Sequence, residues 1–160
     1  MSVNASDVYD KELHDKHACA ELIQAWGLYR DQGKWPQLLA TFVPEGEISV
    51  SWFSGSFREF VAQCRESFEA GQRSKHQIFP SYVRIARARA LAETSIVILV
   101  RQTISGVLAD LTSYARFLDR LERRDRYDVG FRIDSYRGSG RVQTDFKNNS
   151  CAKSKRARAF

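Results

Sequence analysis

The sequence predicts an α+β fold in which three helices in the first half of the chain cover one face of a curved antiparallel sheet. Apolar residues recur every three or four positions in three segments between residues 18 and 68, as along the buried face of a helix. The second half instead carries the β-branched and apolar runs typical of strands. Because most strands follow the helices in series, the order favours α+β over α/β. A sheet curved in this way wraps a partly apolar space, where small-molecule pockets are usually found.

Two helices and a strand open the predicted order. The first helix covers residues 18–29, where apolar positions recur at intervals of three and four, and Gly33 permits the turn that follows. A shorter helix is expected over residues 34–41, and the Pro-Glu-Gly sequence at residues 44–46 ends it. The chain then changes period, and residues 47–53 read as a strand.

A third helix is predicted directly after this strand. Gly55 ends the strand, Ser56 is placed to cap the helix, and Gly71 ends the helix. No helical period returns beyond this point. Four extended segments follow, at residues 75–85, 91–103, 111–122 and 127–136. We expect them to form the antiparallel meander of the sheet.

Length and composition favour one domain without a membrane segment. A chain of 160 residues with 43% hydrophobic content can bury one sizeable core, but hardly two. The first residues contain acids and no apolar run, so they do not resemble a signal peptide. Cys19, Cys64 and Cys151 are widely spaced, which argues against a disulfide framework or a zinc site. We therefore expect a cytoplasmic protein with two cysteines in the core and Cys151 free.

The positive charge is concentrated at the end of the chain. The net charge is +6, of which residues 141–160 supply a net +5 from six basic residues and one acid, so that residues 1–140 carry only +1. We interpret residues 1–140 as the folded domain and residues 141–160 as a solvated, disordered tail. An arm that binds nucleic acid or another anionic surface is the alternative, although the tail interleaves no stacking aromatics with its charges. We expect no nucleic-acid partner.

Several stretches of the chain resemble a known family. They read ELIQAWGLYRDQGKWPQLLATFVPEGEISVSW, then KHQI, then ALAETSIVILV, and finally SYARFLDRLERRDRYDV. Together they resemble the SnoaL-like branch of the superfamily named after nuclear transport factor two, over roughly residues 17–137. The resemblance implies a cone-shaped barrel, in which the curved sheet wraps around a pocket and the three helices pack on it.

The resemblance also implies a pair of polar site residues. In enzymes of this branch, such as hexachlorocyclohexane dehydrochlorinase and scytalone dehydratase, an aspartate after the first helix pairs with a histidine on the strand after the third. The matching positions here are Asp31 and His76. A carboxylate that accepts from one imidazole nitrogen fixes the tautomer and makes the other nitrogen a better general base. Taken alone, Asp31 reads as a turn residue and His76 as a core histidine; taken together, in this element order, they favour a shared site.

A third catalytic candidate comes from the same resemblance. These enzymes can carry an arginine in the last strand, five residues after the aromatic of a stretch that resembles RRDGRW. This sequence reads RRDRY, without the glycine and with Tyr127 in place of tryptophan, and Arg132 stands five residues further on. Facing the cavity, Arg132 would stabilise a leaving anion or a developing oxyanion. A solvated arginine is the alternative.

Alternation along two strands assigns residues to the pocket wall. By the resemblance, the side chains that face the cavity are Val97, Leu99, Arg101, Ser113, Ala115 and Phe117. Those expected on the opposite faces, against the helices or a partner subunit, are Ile96, Ile98, Val100, Tyr114, Arg116 and Leu118. The aromatic residues Trp26, Tyr29 and Trp52 are further candidates for the wall, with ordinary core packing as the alternative.

These features together predict a cofactor-independent acid/base enzyme of the lyase, dehydratase or isomerase type. His76, oriented by Asp31, would remove a proton from a small hydrophobic molecule. No GxGxxG, P-loop or GxSxG motif occurs, and His14 and His17 lack a third metal ligand, so we expect neither cofactor nor metal. The relatives usually form dimers or trimers, which predicts a homodimer or homotrimer here. The alternative is a non-catalytic module of the same fold, for ligand binding or subunit assembly.

Overall fold

The computed structural model describes residues 5–124 and 131–146, in which three helices pack on a seven-stranded mixed sheet. The predicted α+β class is confirmed. In chain order the elements are α1 (Ala5–Gln32), α2 (Trp35–Leu39), β1 (Phe42–Val50), β2 (Phe53–Ser56), α3 (Phe57–Glu69), β3 (Arg73–Ile78), β4 (Tyr82–Ala86), β5 (Arg89–Ile104), β6 (Val107–Arg123) and β7 (Phe131–Phe146).

The strands lie side by side in the order β2-β1-β7-β6-β5-β3, and β4 follows β3 along the same edge of β5. Neighbours pair antiparallel except for β1 and β7, which run parallel. The predicted meander is therefore present in β5, β6 and β7, whereas the parallel pair was not predicted. No tight hairpin joins β1 to β7, because α3 and five strands separate them in sequence, so local turn geometry does not set their direction.

Helix α1 is longer than predicted and begins at Ala5 instead of residue 18. Its first half is mostly exposed and carries no clear apolar stripe, so periodicity alone does not reveal it. The second half is buried through Cys19, Ile23 and Trp26. A Schellman motif ends the helix: Gly33 adopts φ 67°, and the next backbone N–H, of Lys34, donates to the Tyr29 carbonyl over 2.9 Å.

Helix α3 matches its prediction because local signals specify both ends and one face. The Ser56 hydroxyl accepts the backbone N–H of Glu59 at 3.2 Å, and it donates to the Glu59 carboxylate at 2.9 Å. This is a reciprocal N-cap that satisfies one of the otherwise unpaired amides of the first turn. The residues that α3 buries are Phe57, Phe60, Val61 and Cys64.

The sheet extends further along the chain than predicted. The segment predicted over residues 75–85 is divided into β3 and β4 around Pro80, which cannot donate to a ladder. Strands β5 and β6 are 16 and 17 residues long. Strand β7 continues to Phe146, so the predicted boundary at residue 140 falls within a strand paired with β6. The remaining tail, including Cys151, lies outside the described residues.

The core lies between the helices and the inner face of the sheet. Inward residues of β5 and β6, such as Ile96, Phe117 and Leu121, pack there with the buried faces of α1 and α3. Cys19 and Cys64 are buried free thiols in this core. None of the described helices is both long and apolar enough to cross a membrane.

Candidate active site

Asp31 lies in the last turn of α1 and takes all its hydrogen bonds from strand β3. Its Oδ1 lies 2.6 Å from Nδ1 of His76 and accepts the Ser74 hydroxyl at 3.1 Å. Its Oδ2 accepts the backbone N–H of His76 at 2.6 Å. Because three donors hold both carboxylate oxygens, the position of Asp31 relative to His76 is well determined. The two residues matched by the family resemblance are therefore in contact.

A glycine allows α1 to lie close to β3. Gly27 is one turn before Asp31, and a Cβ at this position would lie only 3.3 Å from the His76 Cβ and would meet the Ile78 side chain. The Gln24 side chain, on the same part of the helix, donates to the Ile78 carbonyl at 3.2 Å. The absence of a side chain at Gly27 thus brings the helix near enough for Asp31 to reach the strand.

The location of Asp31 opposes a local preference of helices. An acid in the last turn lies near the negative end of the helix dipole, where basic side chains are favoured. Its carboxylate makes none of the local hydrogen bonds expected of a turn aspartate, since every donor comes from β3. Residues that break a local rule and are compensated by long-range contacts are often functional.

The contacts of His76 assign its tautomer. Because a carboxylate can only accept, Nδ1 is assigned as the N–H donor to Asp31, which leaves the lone pair on Nε2. The imidazole and the Trp26 ring form a T-shaped contact, with ring centroids 5.3 Å apart and an interplanar angle of 87°. The side chain is 6% exposed, and that of Asp31 is 16% exposed. His76 nevertheless lines a cavity, whereas Asp31 lies behind it.

This cavity has a volume of about 390 Å³ and opens between α1, α3 and the inner face of the sheet. Such a volume suits a small organic molecule. Its apolar lining consists of Trp26, Val50, Trp52, Phe60, Ile98, Val100, Leu111, Ala115, Phe117 and Tyr136. Its polar lining consists of Arg30, Ser51, Ser67, Gln72, Ser74, His76, Gln102 and Ser113.

Most of the aromatic and β6 residues predicted for the wall do line this cavity, namely Trp26, Trp52, Ser113, Ala115 and Phe117. Trp52 is 59% exposed and stacks on Phe60 at a centroid distance of 5.3 Å, so it lies at the mouth. Tyr29 does not line the cavity but packs against the core.

The predicted facing of β5 is wrong. Val97, Leu99 and Arg101 point away from the cavity, whereas Ile98 and Val100 line it and Ile96 is buried on the same side. Residues directly opposite each other on paired strands share a face, and Ile98 pairs with Ser113. In the run SIVILV, residues 95–100, both alternate sets of positions contain apolar residues, so the sequence does not show which set faces the core. A shift of one residue in the assignment turns every side chain to the other face of the sheet.

On the outer face, Arg101 forms a two-pronged ion pair with Asp110, with N–O distances of 2.6 and 2.9 Å. Arg132 likewise does not line the cavity. It stands between buried Phe131 and Ile133 in β7, so alternation turns its side chain to the opposite face, and Nη1 donates to the Phe131 carbonyl at 3.0 Å. Arg132 therefore does not face the cavity, and the prediction that it stabilises an oxyanion there is wrong.

The structure also reveals two polar residues that sequence reasoning missed. Arg30 is 6% exposed and lines the cavity. A signal for it existed, since Arg30 lies four residues after Trp26 and so shares its helix face. Asp119 is 2% exposed, two residues along β6 from Phe117, and neither of its oxygens has a hydrogen-bond partner among the described residues. Alternation along β6 was the available signal for its inward facing.

Burial shifts the pKa values of two neighbouring side chains, Asp119 and Tyr136. It raises the pKa of Asp119 to about 8, because no partner compensates for the lost solvation of the charged form. Tyr136, which stands directly opposite on β7, has a pKa well above its ordinary value, first through burial and then through the nearby Asp119 charge. Burial on the inner face of the sheet thus disfavours the charged forms of both Asp119 and Tyr136.

A metal is not suggested by these side chains. In the described part of the chain, no group of three or more histidine, cysteine, aspartate or glutamate side chains is arranged to hold an ion. His17 is exposed and lies 3.6 Å from Glu21 on the same helix.

A curved sheet covered by helices in this way is the architecture of a cystatin-like fold. The model of the SnoaL-like domain matches residues 11–137. The chain therefore belongs to the SnoaL-like family. An uncharacterised protein of Emericella nidulans is 26% identical over 120 residues, which is 72% of this chain and 50% of the relative. The chain spans about half the length of this curated relative.

Solved structures support the fold independently. A candidate scytalone dehydratase from Novosphingobium aromaticivorans superposes with a TM-score of 0.72 at 15% identity, over 92% of this chain and 99% of that one. A hexachlorocyclohexane dehydrochlorinase gives a TM-score of 0.69 at 11% identity, over 86% and 92% of the two chains. An NTF2-like protein with a cystatin-like fold, also from Novosphingobium aromaticivorans, gives 0.62 at 21% identity, over 95% and 96%. At these identities the likeness shows the fold.

Proposed function

We propose that this protein is a cofactor-independent acid/base enzyme of the lyase or isomerase type that acts on a small hydrophobic molecule. The observation that carries the proposal is the contact between Asp31 and His76 at the wall of an internal cavity. A histidine held by a carboxylate, with its second nitrogen available, is a common general base.

The geometry supports one sequence of proton movements. Nε2 of His76 takes a proton from a substrate carbon, and the electrons of the broken C–H bond move into an adjacent electron-withdrawing group. Asp31 keeps Nδ1 protonated and stabilises the imidazolium that forms. The reaction then ends either with departure of a leaving group on the next carbon or with return of the proton to a different carbon. No electron is gained or lost overall, so the reaction needs no redox cofactor.

Two of the structural neighbours are consistent with this chemistry. One is named as a candidate dehydratase and another as a dehydrochlorinase. Both names describe eliminations, in which a proton and a leaving group depart from neighbouring atoms. The low identities leave the substrate open, and for this chain the reaction type is part of the proposal.

Proton abstraction can be tested without knowing the product. The protein is incubated in D2O with a panel of small ketones, esters and carboxylic acids, and proton NMR follows the loss of C–H signals. We expect enzyme-dependent exchange with at least one compound, and a reduction of about 10²- to 10⁴-fold in His76→Gln, the usual contribution of a general base. His17→Gln, an exposed histidine on the same helix as Asp31, is the matched control and should exchange at the wild-type rate.

Two outcomes would contradict the proposal. One is exchange that proceeds equally fast in the wild type and in His76→Gln. The other is a compound that binds in the cavity while no member of the panel exchanges; this result would favour the non-catalytic ligand-binding module instead. Circular dichroism of each variant separates a loss of activity from a loss of fold.

A further inference from the structure

Arg30 brings a permanent positive charge to the wall of the cavity. It lies in the last turn of α1, directly before Asp31, and the side chain is almost completely buried. Among the described residues that line the cavity, it is the only one with a permanent charge, since the other polar groups are hydroxyls, amides, indole N–H groups and the imidazole of His76. The two successive residues diverge, because Asp31 turns to β3 while Arg30 faces the cavity.

No acid compensates for this charge in the part of the chain that the structure describes. The guanidinium of Arg30 lies 5.9 Å from the ring centre of Trp35 and near the thiol of Cys64. Burial raises the pKa of Cys64, and this effect outweighs the opposite influence of Arg30, so the thiol stays neutral. Asp31 is occupied by its three donors from β3. The groups beside the guanidinium, the Trp35 ring and the Cys64 thiol, are thus neutral.

A second buried charge of this protein, on Asp15, has a partner of opposite sign. Asp15, in the first half of α1, forms an ion pair with Arg123 at the end of β6, and both side chains are largely buried. Burial of an isolated charge is costly, and a partner of opposite sign offsets this cost. Among the described residues, Asp15 thus has such a partner and Arg30 has none. A negatively charged ligand would fill this role.

We propose that Arg30 binds a carboxylate of the substrate, so that the ligands of this cavity are small carboxylic acids with an apolar body. The proposal rests on the proposed function and adds the substrate class to it. The apolar part of such a molecule packs against Trp26, Phe60 and Trp52, and the carboxylate pairs with the planar guanidinium. The substrate class is therefore set by a residue on the helix that also carries Asp31.

Calorimetric titration tests this assignment without requiring turnover. The probes are trans-cinnamate and its uncharged isostere trans-cinnamamide, at neutral pH, where only the first carries a charge. We expect the wild type to bind cinnamate at least about tenfold more tightly, as hydrogen bonds to a charged group imply. Arg30→Gln should lose this preference while it keeps its affinity for cinnamamide. Arg30→Lys retains the positive charge but lacks the planar guanidinium with its paired N–H donors, so it should keep part of the preference.

Matched variants isolate the role of Arg30. Arg58→Gln removes an exposed arginine of α3 and should leave the preference unchanged. Thermal unfolding monitors the fold of each variant, and the comparison of the two probes on the wild type needs no variant at all.

Each outcome decides between the two proposals. A wild type that binds cinnamate no more tightly than cinnamamide, or binds neither, overturns the carboxylate site, and so does a preference that survives in folded Arg30→Gln. Loss of the preference in Arg30→Gln supports the site even if His76→Gln leaves proton exchange intact, a result that would contradict only the proposed function. The reverse pattern, exchange that requires His76 without any preference for the anion, would overturn only the carboxylate site.

Discussion

Two aspartates on the inner side of this protein occupy opposite kinds of environment. Asp31 lies beside the cavity, and three donors from β3 hold its two oxygens. Asp119 lies deeper, on the inner face of β6, and neither of its oxygens has a partner among the described residues. The same side chain is thus suited to orient a base in one place and to remain a neutral acid in the other.

The difference shows that local contacts, not residue type, determine what a buried carboxyl group can do. A carboxylate with several hydrogen-bond donors can stay charged while mostly buried. A carboxyl group without donors or cations avoids the cost of desolvation by keeping its proton. Substitution by asparagine, which keeps the shape and removes the charge, should therefore affect activity at Asp31 and the pH dependence of stability at Asp119.

The largest effect is expected for Asp31→Asn. The amide can present its NH₂ to Nδ1 and so favour the wrong tautomer, which places the proton on the nitrogen that should accept one. Proton exchange in D2O should fall by about 10²- to 10⁴-fold, the range of a general base. Asp10→Asn, an exposed position in the first half of α1, should exchange normally. Normal exchange in a folded Asp31→Asn would show that the carboxylate does not orient His76.

A smaller effect, on stability, is expected for Asp119→Asn. The folded protein holds the Asp119 proton up to a pKa of about 8, whereas the unfolded chain releases it near the ordinary value of 3.8. Between these values the folded state binds more protons than the unfolded state, so stability falls as pH rises. Below this window the contribution is fully present, and above it the loss is complete.

Urea unfolding at several pH values between 4 and 8 measures this slope, a range set by the two pKa values. The asparagine variant lacks the titrating group, so its stability should decline less with pH than that of the wild type. Asp10→Asn should reproduce the wild-type slope. If the slopes of the wild type and Asp119→Asn coincide, Asp119 is ionised in the folded protein or already paired.

The smallest effect is expected for Ser74→Ala, which removes one of the three donors to Asp31. The two contacts with His76 remain, so the pair should persist. The free energy of unfolding should fall by about 0.5–1.5 kcal/mol, the net value of one hydrogen bond, and exchange should decline far less than in Asp31→Asn. Ser95→Ala, on the exposed side of β5, is the control for both measurements. A loss of exchange as large as that of Asp31→Asn would mean that Ser74 itself takes part in the reaction.

Much of the fold was predictable because its signals are local. Helix α3 is specified by the Ser56 cap and by one apolar face, and both appear in the structure. The end of α1 follows from Gly33, whose positive φ few other residues adopt. The start of α1 was missed, because its exposed first half buries too little for a pattern to form. The pairing of Asp31 with His76 was inferred from family resemblance and not from either residue alone.

Patterns along the chain therefore specify the α+β class, both ends of α3 and the end of α1, since these depend on neighbours in sequence. Family resemblance supplied the candidates Asp31 and His76. The facing of SIVILV and the outward position of Arg132 depend on strand pairing. That Arg30 has no acidic partner and Asp119 no hydrogen-bond donor among the described residues depends on which groups lie close in space. Burial and the field around a charged group arise only when distant segments pack together, so tertiary structure alone decides them.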